Sequence, residues 1–163
     1  MTPSDGIRPY DPAQRAAVLD LVRRAWDDIM PVTRAEVPGF VYDSFYPEGW
    51  QARQASDIAE LLDLAPEACW LAFDGDRPAG VLCLRLHPED RMGEIHLLAV
   101  DPDHQRQGIG TALMEFAETK LRAGGFAMVM VETLLDSGHT PARKAYEGRG
   151  FQPWPLARYF KKL

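Results

Sequence analysis

The sequence predicts a mixed α/β domain with an antiparallel middle and one strand–helix–strand unit near its end. Three observations carry this reading. Two strand-like runs, Cys69–Phe73 and Ala79–Leu86, flank Asp74-Gly75-Asp76-Arg77, a strong hairpin signal. On either side of that β-rich middle, apolar residues recur at helical spacing. A third strand-like run, Glu94–Val100, passes through a glycine-rich turn into an amphipathic helix and then into the apolar run Phe126–Thr133.

Taken in order, Ile7–Tyr10 reads as a short first strand. Asp11-Pro12 is a helix start, with Asp at the N-cap and Pro in the first turn. Ala16, Leu19, Val22, Trp26 and Ile29 follow the helical period, and Pro31 is expected to stop that helix. Pro38–Trp50 holds five aromatics, two prolines and two glycines without a clean period, which predicts an ordered surface loop. Gln51–Leu64 is a second helix, ended near Pro66. If the hairpin turns at Asp74–Arg77, Cys69 and Cys83 face each other across its strands. Glu94–Val100 closes at Asp101-Pro102-Asp103. Ile109, Leu113, Phe116, Ala117 and Leu121 set a helix that Gly124-Gly125 ends. Thr140 caps a short last helix with Pro141 behind it, Gly150 is its C′ residue, and Phe151–Phe160 supplies the last strand or strands, broken by Pro153 and Pro155. The expected order is β-α-α-β-β-β-α-β-α-β.

With 163 residues, the length implies one domain spanning 1–163. An apolar share of 46% and a charged share of 26% exclude the disordered, collagen and coiled-coil classes. Eighteen basic against twenty-four acidic side chains leave a net charge of −6, so the broad basic footprint of a nucleic-acid binder is missing. Two cysteines make neither a disulfide framework nor a zinc site; they read as small buried hydrophobes, and no metal is expected. Met1–Tyr10 is polar and lacks a secretory pattern, and the longest apolar stretch, Phe126–Val131, is far short of a membrane span. No membrane partner and a cytoplasmic location are the expectation.

The sharpest local feature is Gln105-Arg106-Gln107-Gly108-Ile109-Gly110-Thr111, set between a strand and a helix. Such a junction aims free backbone N–H groups and a positive dipole end at one point. Glycines 108 and 110 let an anion reach the backbone, and Arg106 adds charge, which makes a phosphate site. Tight helix–strand packing explains the glycines equally well. A Walker A loop is excluded because Thr111-Ala112 follows the last glycine, and a dinucleotide fingerprint because position 113 is leucine.

A second pattern, A-x-x-x-Y-E-x-x-G-F, occupies Ala142–Phe151. Q-x-x-G-x-G, an amphipathic helix, an apolar strand and then this pattern together resemble the GNAT family of acyl-CoA-dependent N-acetyltransferases. In motif terms the resemblance runs from about Glu94 to Phe151. It implies a central twisted mixed β-sheet flanked by α-helices, with a splayed strand pair holding acyl-CoA. The pantetheine arm of acetyl-CoA, the implied co-substrate, would pair with backbone at Leu98, Ala99 and Val100. Residues Gln105, Arg106, Gln107, Gly108, Ile109, Gly110 and Thr111 would hold its pyrophosphate, and Tyr146 would sit by the thioester sulfur. His139 stands where many members carry an asparagine that contacts pantetheine, and Arg143 is within reach of cofactor phosphates or simply solvated.

Acetyl transfer needs a neutral amine, a stabilised oxyanion and a proton for the leaving thiolate. Tyrosine, protonated at neutral pH, suits the last task, so Tyr146 is the candidate acid. Glu94 and His96 are two apart on one strand, which predicts a shared face and a base acting through water; a solvated glutamate and a core histidine are the plainer alternatives. The resemblance puts the aromatic loop on the acceptor side, which makes Tyr42, Asp43 and Tyr46 candidates for an amine-binding wall; pinning the loop to the sheet is the other reading. The implied partners are acetyl-CoA and an amine acceptor, with the chain a monomer or a homodimer. Two other functions stay open: an acyltransferase using another acyl-CoA or an O-acceptor, and a non-catalytic acyl-CoA-binding regulatory module.

Overall fold

Helices sit on both faces of a five-stranded sheet in a computed structural model that describes residues 6–163. The strands are β1 (Ile7–Pro9), β2 (Cys69–Asp74), β3 (Arg77–His87), β4 (Met92–Val100) and β5 (Met128–Val131), and they neighbour one another in that order. The first three junctions are antiparallel and β4–β5 is parallel. Helices α1 (Arg15–Trp26), α2 (Met30–Glu36), α3 (Gly39–Phe45) and α4 (Trp50–Leu64) precede β2, α5 (Ile109–Ala123) links β4 to β5, and α6 (Thr140–Gly148) follows β5.

The hairpin forms as its turn residues predict. Asp74 pairs with Arg77, and Gly75, at φ 59°, takes the left-handed corner that costs a glycine least. Cys69 lies directly across from Cys83; both are fully buried, and the neighbouring thiol together with burial pushes the Cys83 thiol far up, so it stays protonated.

Alternation along β3 feeds two cores. Val81 and Cys83 face α1 and α4, packing with Val18, Leu21, Val22 and Leu62, whereas Leu82 and Leu84 face α5, packing with Leu113, Met114, Ala117 and Leu121. On β4 the alternation breaks. Ile95 faces α5, yet Leu97, two residues on, faces α1. The register slips at that point, because Leu84 pairs with Ile95 and Cys83 with Leu97, leaving His96 as the extra residue of a β-bulge.

Close packing of α5 depends on Gly93. A Cβ there would lie 2.1 Å from Leu121 Cδ2 and 2.8 Å from its Cγ, and Leu121 is itself buried. Gly93→Ala is expected to destabilise the protein by roughly 1–3 kcal/mol through overpacking, read as a lower urea midpoint at unchanged m-value.

Three sequence expectations change. Pro31 starts a helix rather than stopping one: α1 ends at Trp26, and Pro31 occupies the first turn of α2, where its missing N–H costs nothing. The aromatic segment is not a loop, since Gly39–Phe45 forms α3 and buries Val41 and Tyr42 against Met30 and Trp50. Apolar residues lie on both the buried and the exposed side of α3, so no amphipathic period marks it in the sequence. No strand follows α6 among the described residues. Phe151 folds back on Tyr146, with ring centroids 5.8 Å apart, and Pro153 and Pro155 deny the next residues the donors a sheet strand needs. His139 rather than Thr140 holds the N-cap position of α6, while Gly150, at φ 87°, is the C′ residue as expected.

Candidate active site

The parallel pair β4–β5 is short. Met92 to Ile95 pair with Met128 to Val131, and there β5 ends while β4 runs on to Val100. Among the described residues, 96–100 of β4 therefore have no strand partner on their β5 side. This opening begins at the His96 bulge, and it contains Leu98, Ala99 and Val100. A bulge turns backbone groups out of the ladder, so N–H donors can face the gap.

At the far end of the opening, β4 runs through a short 3₁₀ turn (Pro102–His104) into the glycine-rich segment and α5. Arg106 and Gly108 both have positive φ, 58° and 85°, which folds the segment tightly. The Gln105 amide donates to the Val100 carbonyl at 3.3 Å and that of Gln107 to the Asp103 carbonyl at 3.1 Å, so these two brace the turn. Gly108 caps α5, leaving the N–H groups of Ile109, Gly110 and Thr111 at the helix start. Arg106 is exposed and has no ion-pair partner among the described residues.

Beneath the turn lies Asp101, whose side chain is 1% exposed. It accepts from Arg24 of α1 at 2.5 Å, from Arg77 of β3 at 3.4 Å and from the Asp103 N–H at 3.0 Å. Arg24 also reaches Asp103, at 2.7 Å, and its guanidinium holds the Asp103 carboxyl below the usual carboxylate range. The end of β4, the turn and α1 are thereby fastened together.

Glu94 and His96 meet, as the sequence predicts, although across a bulge: His96 Nδ1 is 2.9 Å from Glu94 Oε1. Two residues that sequence reasoning missed complete the group. His87 Nε2 is 2.7 Å from the other oxygen of Glu94, and Arg85 donates to His96 Nε2 at 3.1 Å. Arg85 is the strand partner of Glu94 in the register, and His87 is two residues along β3 from Arg85; the Arg-x-His spacing on β3 was the available signal. Burial pushes Glu94 up, but the hydrogen bonds from His96 and His87 outweigh it, and the carboxyl stays below its ordinary range. Glu94 is thus anionic, with a donor on each oxygen. Arg85 occupies one nitrogen of His96 and Glu94 the other, so His96 has no lone pair free to take up a proton.

On α6, Tyr146 packs with Phe151 against the α5-side core that includes Ile95, Leu113 and Leu121, the core that Leu98 and Val131 also pack against. Burial raises its pKa, which keeps the phenol protonated, and its hydroxyl has no hydrogen-bond partner among the described residues. His139 precedes the same helix. Its Nδ1 is 2.8 Å from Asp136 Oδ1. Asp136 is buried and also accepts from the His139 N–H at 3.1 Å and from Thr33 of α2 at 3.1 Å. Burial pushes the Asp136 carboxyl up, the His139 contacts pull it further down, and the net shift is downward. Ser137 bonds to Glu36 of α2 through both its N–H and its hydroxyl. Arg143, expected near cofactor phosphates, instead turns onto its own loop, donating to the Leu134 and Asp136 carbonyls at 2.7 and 2.8 Å and to Thr140 Oγ1.

The aromatic wall is divided. Tyr42 is buried between Met30 and Trp50, Tyr46 stacks on it at 4.8 Å, and burial pushes the Tyr46 phenol up. Asp43 is exposed and 3.8 Å from Arg34. Tyr42 and Tyr46 thus hold α3 in place, while Phe40 and Phe45 remain exposed beside them.

The profile of the acetyltransferase (GNAT) family matches residues 39–151, from α3 to Phe151. A mycothiol acetyltransferase of Geodermatophilus obscurus is 30% identical over 85% of this chain and 53% of its own length. Human N-alpha-acetyltransferase 30 is 35% identical over 58% of this chain and 27% of its own. The chain thus spans about half the length of the mycothiol acetyltransferase it matches. An N-acetyltransferase of Thermoplasma acidophilum, solved in complex with coenzyme A, superposes with a TM-score of 0.65 over 90% of this chain and 88% of that one; at 15% identity, this shows a common fold. With the profile covering about two-thirds of the residues, including the opening, the glycine-rich turn and the Tyr146 helix, the chain belongs to the GNAT acetyltransferase family.

Proposed function

We propose that this protein transfers an acetyl group from acetyl-CoA to a primary amine of a small molecule or a peptide terminus. The observation that carries the reading is the opening between β4 and β5, with one unpaired backbone edge running from the His96 bulge to the start of α5. An extended pantetheine arm satisfies such an edge at Leu98, Ala99 and Val100 as an added strand would. The amides of Ile109, Gly110 and Thr111, with Arg106 beside them, suit a pyrophosphate. The names of the relatives, acetyltransferases acting in one case at alpha-amino groups, support the reaction class.

In the proposed reaction the amine lone pair attacks the thioester carbonyl carbon and a C–N bond forms. The carbonyl oxygen becomes an oxyanion, which backbone N–H groups at the bulge stabilise without reorganising. The intermediate collapses by breaking the C–S bond, the thiolate takes the phenolic proton of Tyr146, and the nitrogen gives up its surplus proton, which returns to the phenolate through water. Glu94, an anion on the strand that borders the opening, favours approach of a cationic acceptor, in keeping with the acidic net charge.

The test is mass spectrometry of a mixed amine pool — polyamines, amino acids, aminoglycosides, short peptides — incubated with the protein and acetyl-CoA. Products carrying one added acetyl group are the expected result and name the acceptor class. Tight acetyl-CoA binding with no acetylated amine, for any acyl chain length, would instead indicate a binding module.

A further inference from the structure

Acetyl transfer at neutral pH requires something to take the ammonium proton, and Glu94 with its two donors is a poor choice. The chain has four histidines, and three are unsuited to this role. His96 is engaged at both nitrogens. His104 lies under the turn, with Nε2 3.1 Å from Asp74 and Nδ1 buried 3.5 Å from Asp101. His87 donates to Glu94 and sits across from Met92, where β4 and β5 are still paired, so it is outside the opening; its Nδ1 is turned toward Glu89.

His139 is different. Asp136 accepts from His139 Nδ1, which fixes that nitrogen as the donor, so in the neutral ring Nε2 carries the lone pair. That Nε2 has no hydrogen-bond partner among the described residues, and the ring is 12% exposed. The turn that carries it follows β5 in the chain, packs on α2 and leads directly into α6, the helix of Tyr146. Thr33 and Glu36 of α2 pin that turn through Asp136 and Ser137. His139 and Tyr146 are seven residues apart, which places them on one face of α6. The charged groups around the ring are Asp136 on its own turn, Glu36 on α2 and Arg143 on α6, whose guanidinium is occupied by carbonyls.

We propose that the Asp136–His139 pair is the proton acceptor for the amine, with His139 Nε2 taking the proton directly or through one water and Asp136 holding the ring in the tautomer that can do so. The proposal rests on the acetyltransferase reading of the opening. In balance, the ammonium gives one proton to Nε2, the neutral amine attacks, Tyr146 protonates the departing thiolate, the surplus proton on the acylated nitrogen passes through water to the Tyr146 phenolate, and the imidazolium, paired with the Asp136 carboxylate, returns its proton to solvent. The same geometry makes Nε2 an acceptor, so it cannot donate to a pantetheine carbonyl as an asparagine amide does.

The experiment has two arms. ¹⁵N NMR of the whole protein at neutral pH is expected to find His139 protonated at Nδ1 and bare at Nε2; the opposite tautomer overturns the proposal regardless of activity. In kinetics, with an acceptor found in the amine pool, His139→Ala and His139→Gln are expected to lower kcat/KM for the amine by about 10²–10³-fold near neutrality, with KM for acetyl-CoA unchanged. The loss should shrink at high pH, where the amine deprotonates unaided, and added imidazole should partly rescue His139→Ala. His139→Gln can still bond Asp136, so it separates proton transfer from loop stability. A loss confined to KM for acetyl-CoA, or an unchanged acid-side fall in the rate profile, overturns the proposal while leaving the acetyltransferase reading intact. If wild-type protein acetylates no amine, the underlying reading is what fails, and the proposal falls with it.

Discussion

Tyr146→Phe is expected to lower kcat by about 10²–10³-fold while leaving acetyl-CoA affinity within about twofold of the wild type. Phe keeps the contact with Phe151 and the packing on the α5-side core, because only the hydroxyl is removed. The fold should therefore survive unchanged. What disappears is the phenolic donor that burial keeps protonated and that the proposed reaction uses. The sign of that shift matters: a phenol whose pKa is raised stays a donor over the whole neutral range and is no candidate for a base there. A sharper readout is available from the leaving group. With acetyl thioesters of more acidic thiols, which depart without help, the gap between wild type and Tyr146→Phe should narrow. A gap that is the same for all thiols would place Tyr146 elsewhere in the mechanism, and an unchanged kcat would remove it altogether.

Asp101→Ala is the substitution expected to cost the most stability, about 2–4 kcal/mol, equivalent to roughly 4–16 °C in Tm for a chain of this size. The carboxylate is buried and joins Arg24, Arg77 and the Asp103 N–H. Its loss leaves Arg24, only a quarter exposed, without its shorter ion pair and leaves the Asp103 N–H without a cap. Arg24 keeps Asp103 as a partner, which holds the cost below that of a fully orphaned charge. Because Asp101 sits where β4 becomes the glycine-rich turn, acetyl-CoA affinity should fall with stability. Asp101→Ala with a wild-type melting temperature would contradict the argument.

The sequence made the central elements legible because their signals are local. Asp74-Gly75 fixes a hairpin, and the Ile109–Leu121 period fixes α5 whatever surrounds them. The opening was legible only through the Gln105–Gly110 and Ala142–Phe151 patterns, since nothing in the Phe126–Thr133 run says that pairing stops at Val131. α3 was hidden because Phe40, Val41, Tyr42, Phe45 and Tyr46 surround the helix with apolar residues, and an amphipathic period needs a polar side. The expected last strand over Phe151–Phe160 does not form, because Pro153 and Pro155 each lack the N–H that a ladder needs. At the candidate site, Tyr146, Glu94 and His96 are readable as candidates because their signals are local: a motif position for Tyr146 and a two-residue spacing for Glu94 and His96. His87, Arg85, Asp136 and Thr33 are not, because their roles arise from contacts up to 103 residues apart, as between Thr33 and Asp136. The His96 bulge has the same origin: it exists in the register of β4 against β3, not in β4 alone.

The most direct test of where the co-substrate lies is hydrogen–deuterium exchange of backbone amides with and without saturating acetyl-CoA. Protection concentrated in residues 96–100 and 105–112 is the expected result, because those amides border the opening and start α5. Protection confined to another part of the surface, such as the cleft between α1 and α4 lined by Leu19, Arg23, Gln51 and Ile58, or no protection despite binding, would contradict the placement of acetyl-CoA between β4 and β5.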